Sequence, residues 1–386
     1  MEKIMRGIDT RLIHAGEPDP PIEGAVAMPI FQSATFAYRG ETSYHALRYI
    51  RLNNTPNHVA LHRKLAALEG AEAALVLASG MAAVATTLIT VAGADERVMA
   101  QECLYGGTHD LMRDEFPRMK IGVDFIDGAN AAGWREALTP RTRAIYVETI
   151  SNPLMQVADL RAAAAFARAH GLISIVDNTF ASPINFRPAE LGFDLSIHSG
   201  TKYLNGHSDI VAGAIIGRAG LIDQINRTAS HFGGSLDPHA CFLLHRGVKT
   251  LGVRMRYQNA SALEVAHFLA AHPKIAAVNY PGLPSHPEHQ RARELFDGFG
   301  GMLSFELRGG LAAADRFIDG VTIPISAPSL GGVESLITRP ATTSHSGMPP
   351  AARERVGIRD GLIRLSVGLE ATDDLIEDFT RSLEAC

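Results

Sequence analysis

Three cysteines, Cys103, Cys241 and Cys386, are all that 386 residues carry, and no two are spaced Cys-x-x-Cys. An odd, scattered set excludes a disulfide framework or zinc ribbon and fits a reducing compartment, so a cytoplasmic location is expected. No apolar run is long enough to cross a bilayer, and Met1–Asp9 lacks the apolar stretch of a signal peptide. The net charge of -5 offers nothing that would draw nucleic acid or a membrane surface. Neither a Gly-x-Gly-x-x-Gly fingerprint nor a Walker A loop occurs, which disfavours a dinucleotide-binding dehydrogenase. Internal repeats and low-complexity tracts are absent too.

What is present is an ordinary soluble composition, 46% hydrophobic and 20% charged, with length for two or three domains. The first ~55 residues carry Pro18, Pro20, Pro21 and Pro29, show little periodicity, and read as an extended arm that packs on a partner subunit. A helix is predicted from about Asn57 to Glu69, stopped by Gly70. From there short apolar runs alternate with helical patterns: strands at Leu75–Leu77, Val98–Met99, Val123–Ile126 and Ala144–Glu148, then the helix Leu160–His170. That alternation predicts a mostly parallel sheet with helices on both faces. From about Cys241 a long helical stretch with a break near Gly252 bridges to a second domain. It has strands at Met302–Leu307 and Ile363–Val367 and a last helix begun by the cap Thr372, with Leu375, Phe379 and Leu383 facing in. The expected division is an arm over 1–55, a large domain over 56–245 and a C-terminal domain over 246–386.

Two strand ends carry chemistry. Leu195–Ser199 leads into Gly200-Thr201-Lys202, so an apolar-leaning run ends in two hydroxyls and a lysine. Burial lowers a lysine's pKa, and the neutral amine can attack an aldehyde, while Ser199 and Thr201 could hold an anion beside it. Leu172–Val176 is a continuous apolar run ending in Asp177, at the strand end where α/β sheets collect ligands. A carboxylate there suits the pyridine nitrogen of pyridoxal 5'-phosphate (PLP), because a protonated ring is the better electron sink. Ser79-Gly80-Met81 opens a helix whose free N–H groups and dipole suit a phosphate. Tyr105 could stack on a flat ring, and Arg51 with Tyr49 could grip a phosphate. Arg364 alternates with core residues in its strand, so burial implies a carboxylate partner. No metal is expected: His286-Pro287-Glu288-His289 reads as a solvated loop, and His58 and His62, four apart, lack a third ligand.

Together these stretches resemble the Cys/Met-metabolism family of PLP enzymes over nearly the whole chain. The motifs that carry the resemblance are Tyr49-x-Arg51, Ser79-Gly80-Met81, Leu104-Tyr105-Gly106-Gly107, Val176-Asp177-Asn178-Thr179, Ser199-Gly200-Thr201-Lys202 and Ile363-Arg364-Leu365-Ser366. The resemblance implies an α/β, fold type I (aspartate-aminotransferase-like) architecture with a smaller α+β C-terminal domain. It implies PLP bonded to Lys202, which also shuttles protons, and Asp177 against the ring nitrogen. Tyr105 would stack on the ring and act in acid/base steps. Gly80, Met81, Ser199 and Thr201 would hold the phosphate, reached by Tyr49 and Arg51 of the neighbouring subunit. Arg364, Asn152 and Ser329 would bind the substrate carboxylate. A homotetramer, a dimer of dimers with shared active sites, follows from the same likeness, with a small amino acid as the substrate. The implied activity is α,γ-elimination of the cystathionine γ-lyase kind. Alternatives are γ-replacement on a homoserine ester, as in cystathionine γ-synthase, and methionine γ-lyase or cystathionine β-lyase activity. Pro328 stands where γ-lyases of this family have a glutamate, and Gly107 where methionine γ-lyases have a cysteine.

Overall fold

Proline and glycine punctuate the chain where the turns fall. The computed structural model describes residues 7–386, except for the side chain of Ala352; residues 1–6 of the expected arm lie outside the described residues. Pro56, with its φ already helical, starts the helix α2 (Pro56–Glu69), and Gly70 at φ 68° ends it in the left-handed conformation that costs glycine nothing. The chain then enters β1 (Ala73–Leu77), and Ser79 accepts the Ala82 N–H at 2.9 Å to cap α3 (Gly80–Val91).

Further short strands follow: β2 (Arg97–Gln101), β3 (Gly122–Ile126), β4 (Thr142–Glu148), β5 (Ile173–Asp177), β6 (Leu195–Ser199) and β7 (Gly213–Gly217). They form one seven-stranded sheet in the order β1-β7-β6-β5-β4-β2-β3. Only β7 runs against its neighbours; β6, β5, β4, β2 and β3 pair in parallel. The carboxyl ends of the parallel strands therefore share one edge, where such sheets open a crevice. Both faces are buried. Leu61, Leu65, Val76, Val147 and Val176 pack on one side, and Leu75, Val84, Leu88, Tyr146, Ile175 and Ile197 on the other.

The helices Pro238–Val248 and Leu251–Ala271 carry the chain to a second sheet; the break falls at Lys249–Thr250, two residues before the expected Gly252. That sheet, β10-β11-β12-β9-β8, comprises β8 (Ile275–Asn279), β9 (Met302–Leu307), β10 (Ile325–Ser326), β11 (Leu336–Thr338) and β12 (Leu362–Ser366). Its core joins Leu303, Phe305, Ile363 and Leu365 to Leu375, Phe379 and Leu383 of the last helix.

Three expectations fail. The arm is not wholly extended: α1 (Ile8–His14) is helical and docks on α2, because Lys64, fully buried, donates to the Leu12 and Ile13 carbonyls at 2.8 and 3.1 Å. Thr372 does not cap the last helix. Ala371 holds the cap position, and the Thr372 hydroxyl donates to Ser261 Oγ instead. His286 is not solvated; it is buried, and Nδ1 accepts the Glu288 N–H at 3.2 Å, while His289 opens a helix.

Candidate active site

At the shared edge of the parallel strands lies a cleft of about 670 Å³. Its walls include the turn before α3, the ends of β4, β5 and β6, the Pro328–Leu330 segment and Arg364 of β12. Both sheets thus contribute to one space.

Lys202 follows β6 by three residues. Its Nζ donates to Ser329 Oγ at 2.8 Å. Burial, and then the positive charge of Arg364, lower its pKa to about 8, so a useful fraction is neutral amine near neutral pH. Arg364 is buried, 4% exposed. Its Nη2 donates to the Ser329 carbonyl at 2.9 Å and its Nη1 to Asn152 Oδ1 at 3.2 Å. The expected carboxylate partner is not there: among the described residues no acid bonds it, and its buried Nε has no partner. Burial accordingly lowers its pKa to about 10. A guanidinium desolvated this far needs an anion, and the cleft is where one can arrive. Ser329 between the two cations sits at φ 120°, a conformation that L-residues avoid and that surrounding contacts must hold.

Asp177 ends β5. Its Oδ1 accepts the Thr179 N–H at 2.9 Å, and the Tyr146 hydroxyl lies 3.4 Å from Oδ2. Thr179 Oγ1 in turn accepts the Ser199 N–H at 2.8 Å, which ties the two strand ends together. Gly80 and Met81 supply first-turn N–H groups that have no partner within their helix. A Cβ on Gly80 would lie 2.9 Å from the Ser199 Cβ, so only glycine leaves this cup open. Thr201 lines the same wall, although its hydroxyl also exchanges hydrogen bonds with Ala212. Tyr105 stands 45% exposed over the cleft. Gly107 lets its ring lie close; a Cβ there would approach Tyr105 Cε1 to 2.8 Å.

Ten of the twelve residues singled out from the sequence therefore line one cleft: Lys202, Tyr105, Asp177, Gly80, Met81, Ser199, Thr201, Arg364, Asn152 and Ser329. Tyr49 and Arg51 do not. Arg51 Nη1 donates to the Ser230 carbonyl at 2.8 Å, and its guanidinium lies over the Tyr44 and Tyr49 rings. Glu148 lines the cleft and was missed. The signal was available, because Glu148 ends an apolar parallel strand as Asp177 does.

The arrangement offers an amine poised near neutral, an acid at a strand end, an anion cup at a helix start and a second anion site at Arg364. The sequence profile described as Cys/Met metabolism PLP-dependent enzyme matches residues 9–384. A cystathionine beta-lyase of Coxiella burnetii is 41% identical over 97% of both chains. An L-methionine gamma-lyase of Pseudomonas putida is 41% identical over 98% of both. The structure of a cystathionine gamma-lyase from Lactobacillus plantarum, complexed with L-serine, superposes with a TM-score of 0.93 at 36% identity, covering 98% of this chain and 99% of that one.

Proposed function

The chain belongs to the Cys/Met-metabolism PLP-dependent enzymes, and from that premise we propose that it eliminates the γ-substituent of cystathionine and related γ-substituted amino acids. Fold type I, PLP dependence and carbon–sulfur chemistry come with the family. The choice of substrate and bond is our reading.

The residues fit the cofactor. The cup between Gly80 and Ser199 suits its phosphate, Asp177 its ring nitrogen, the face of Tyr105 its ring, and the Lys202 amine its aldehyde. Bound there, PLP supplies an electron sink for the pair left when the substrate's α-proton departs. The protein's own groups do the rest. Arg364, with Asn152 and Ser329, takes the α-carboxylate. Lys202 would take the α-proton and then serve at Cβ. Tyr105 can protonate the departing sulfur. Elimination from Cγ, completed by hydrolysis with one water, would release the thiol, a 2-oxo acid and ammonia.

The observation that carries this reading is the Lys202–Ser329–Arg364 unit, with a neutralisable amine and an unpaired guanidinium bonded to the same serine. Besides Glu148, Asp177, Lys202 and Arg364 the lining of the cleft is uncharged, Phe180, Val211, Pro328, Leu330, Thr342 and Thr343 included. That uncharged lining offers no charge to the distal ammonium of cystathionine. Losing one partly solvated ion pair is worth about 1 kcal/mol, so the expected preference for cystathionine over smaller thioethers is under ~10-fold in kcat/KM. The γ-lyase likeness favours attack at Cγ. The β-lyase relative keeps cleavage at Cβ as the second reading.

The test is a turnover screen with cystathionine, cysteine, methionine and acylated or phosphorylated homoserine, with and without added cysteine. 2-Oxobutanoate from cystathionine supports the proposal. Pyruvate from cystathionine would transfer the activity to Cβ. Cystathionine formed from homoserine esters, without 2-oxo acid, would make replacement the main reaction. A ~1000-fold preference for cystathionine would refute this reading of the uncharged lining.

The same assembly supports the proposed division into an arm over 1–55, a large domain over 56–245 and a C-terminal domain over 246–386, since each sheet has its own core. For Tyr49 and Arg51 we propose a role across the subunit boundary, in a homotetramer of two dimers with shared sites. Their absence from the lining of the cleft of their own chain supports it. No helix among the described residues is long and apolar enough to cross a membrane, and a cytoplasmic location is part of the proposal.

A further inference from the structure

Glu148 and Asp177 are direct partners in the parallel β4–β5 ladder. Both line the cleft. Like charges placed opposite each other on a sheet repel, and here Glu148 is buried and Asp177 half-buried. No lysine or arginine is among the groups that act most strongly on either carboxyl. Asp177 has the better-stabilised charge, because it receives the Thr179 N–H and hydroxyl and the Tyr146 hydroxyl and feels the His198 ring. Glu148 receives two backbone amides. Its Oε1 accepts the Tyr105 N–H at 2.7 Å, and the Asn152 amide also faces it. Those two amides belong to the loop that presents the ring-stacking tyrosine and to the loop that presents the substrate-binding asparagine.

We propose that Glu148 is a positioning residue for this cleft: one carboxyl spans the Tyr105 and Asn152 loops and holds the single proton that keeps its pair with Asp177 at one negative charge. Burial first, then the charge of Asp177, drive the Glu148 pKa well up. The other titratable groups that act on this pair are Tyr146 on the same strand, Cys103 on the loop after β2, and His198 beyond Asp177. Burial raises the Tyr146 pKa, and lifts that of Cys103 to about 12, so both stay uncharged through neutrality. The inference rests on the proposed role of the cleft and adds a residue to it.

The linkage has a definite sign. A carboxyl whose pKa is raised on folding stabilises the fold at low pH, and that contribution is lost as pH rises through the raised value. Glutamine cannot titrate and keeps one acceptor oxygen. The test compares Glu148→Gln and Glu148→Asp with the parent chain. Melting of the cofactor-free proteins between pH 5 and pH 9 is one readout, and KM and kcat of the PLP-loaded proteins are the other. We expect the parent to lose stability with rising pH more steeply than Glu148→Gln, by up to one proton per chain. In Glu148→Gln, KM for an amino-acid substrate is expected to rise about 10-fold with kcat within 3-fold, because the Asn152 loop loses an anchor. Glu148→Asp keeps a titratable carboxyl but falls short of the Tyr105 amide, so it is expected to keep the parent pH slope while KM rises. Parallel pH slopes in the parent and Glu148→Gln, or an unchanged KM in both variants, would overturn the inference. Failure of the parent itself to bind PLP or turn over would overturn the functional proposal instead, and the melting comparison would still judge Glu148.

Discussion

At the scale of residues, the account turns on one depressed amine and one unsatisfied guanidinium. Lys202 has its pKa lowered to about 8 by burial and then by Arg364. Capture of an aldehyde needs the neutral amine. The rate at which cofactor-free protein takes up PLP, followed by visible absorbance, is therefore expected to rise nearly tenfold per pH unit below 8 and to level off above it. A rate still climbing beyond pH 9.5 would mean that Lys202 keeps an ordinary lysine pKa. Arg364 supplies the second prediction. A hydrogen bond to a charged group contributes ~1.5–3 kcal/mol, so Arg364→Ala is expected to lower kcat/KM by roughly 10- to 150-fold, mostly through KM. An unchanged KM would place the substrate carboxylate elsewhere. Ser329 was legible as a site residue, but its role as the shared partner of both cations was not. That role depends on β12 and the end of β6 meeting across two sheets, and no local pattern encodes that meeting.

At the scale of elements, the attachment of α1 depends on a buried charge. Glu17 lies 2.6 Å from Lys249, and 3.4 Å from both Lys64 and His245. Lys64 has no exposed side-chain surface. Removing one member of a buried pair strands the other. Glu17 is partly exposed and Lys64 keeps two carbonyl partners, so Glu17→Gln is expected to cost about 1–3 kcal/mol in urea unfolding. A loss below ~0.5 kcal/mol would show that the carbonyls alone satisfy the lysine. The strands and long helices of the sheet were readable because period, glycine stops and apolar runs are local signals. α1 was not, since proline density beyond it masked one short amphipathic turn. The Thr372 cap failed for a related reason: its hydroxyl found Ser261 across the interface, a partner more than a hundred residues away. His286 was misread because a loop sequence says nothing of what is packed over it.

At the scale of the whole molecule, ten of the twelve expected residues line the cleft, and the remaining two do not. If Arg51 serves a neighbour's phosphate, Arg51→Ala weakens PLP binding by at least ~10-fold, the value of a charge-assisted contact. Mixed oligomers of Arg51→Ala and Lys202→Ala chains are then expected to recover part of the lost activity, because one composite site per hybrid dimer carries both native residues. Absence of recovery, with mixing verified by mass, would assign Arg51 to its own chain.

The claim beneath all of this is that Lys202 is the residue PLP bonds. Borohydride reduction of the cofactor-loaded protein, followed by digestion and peptide mass analysis, tests it directly. The account predicts one pyridoxyl-modified peptide per chain, the one containing Lys202, and none in Lys202→Ala. A modified peptide centred on another lysine, or a protein that binds PLP without any reducible bond, would contradict it.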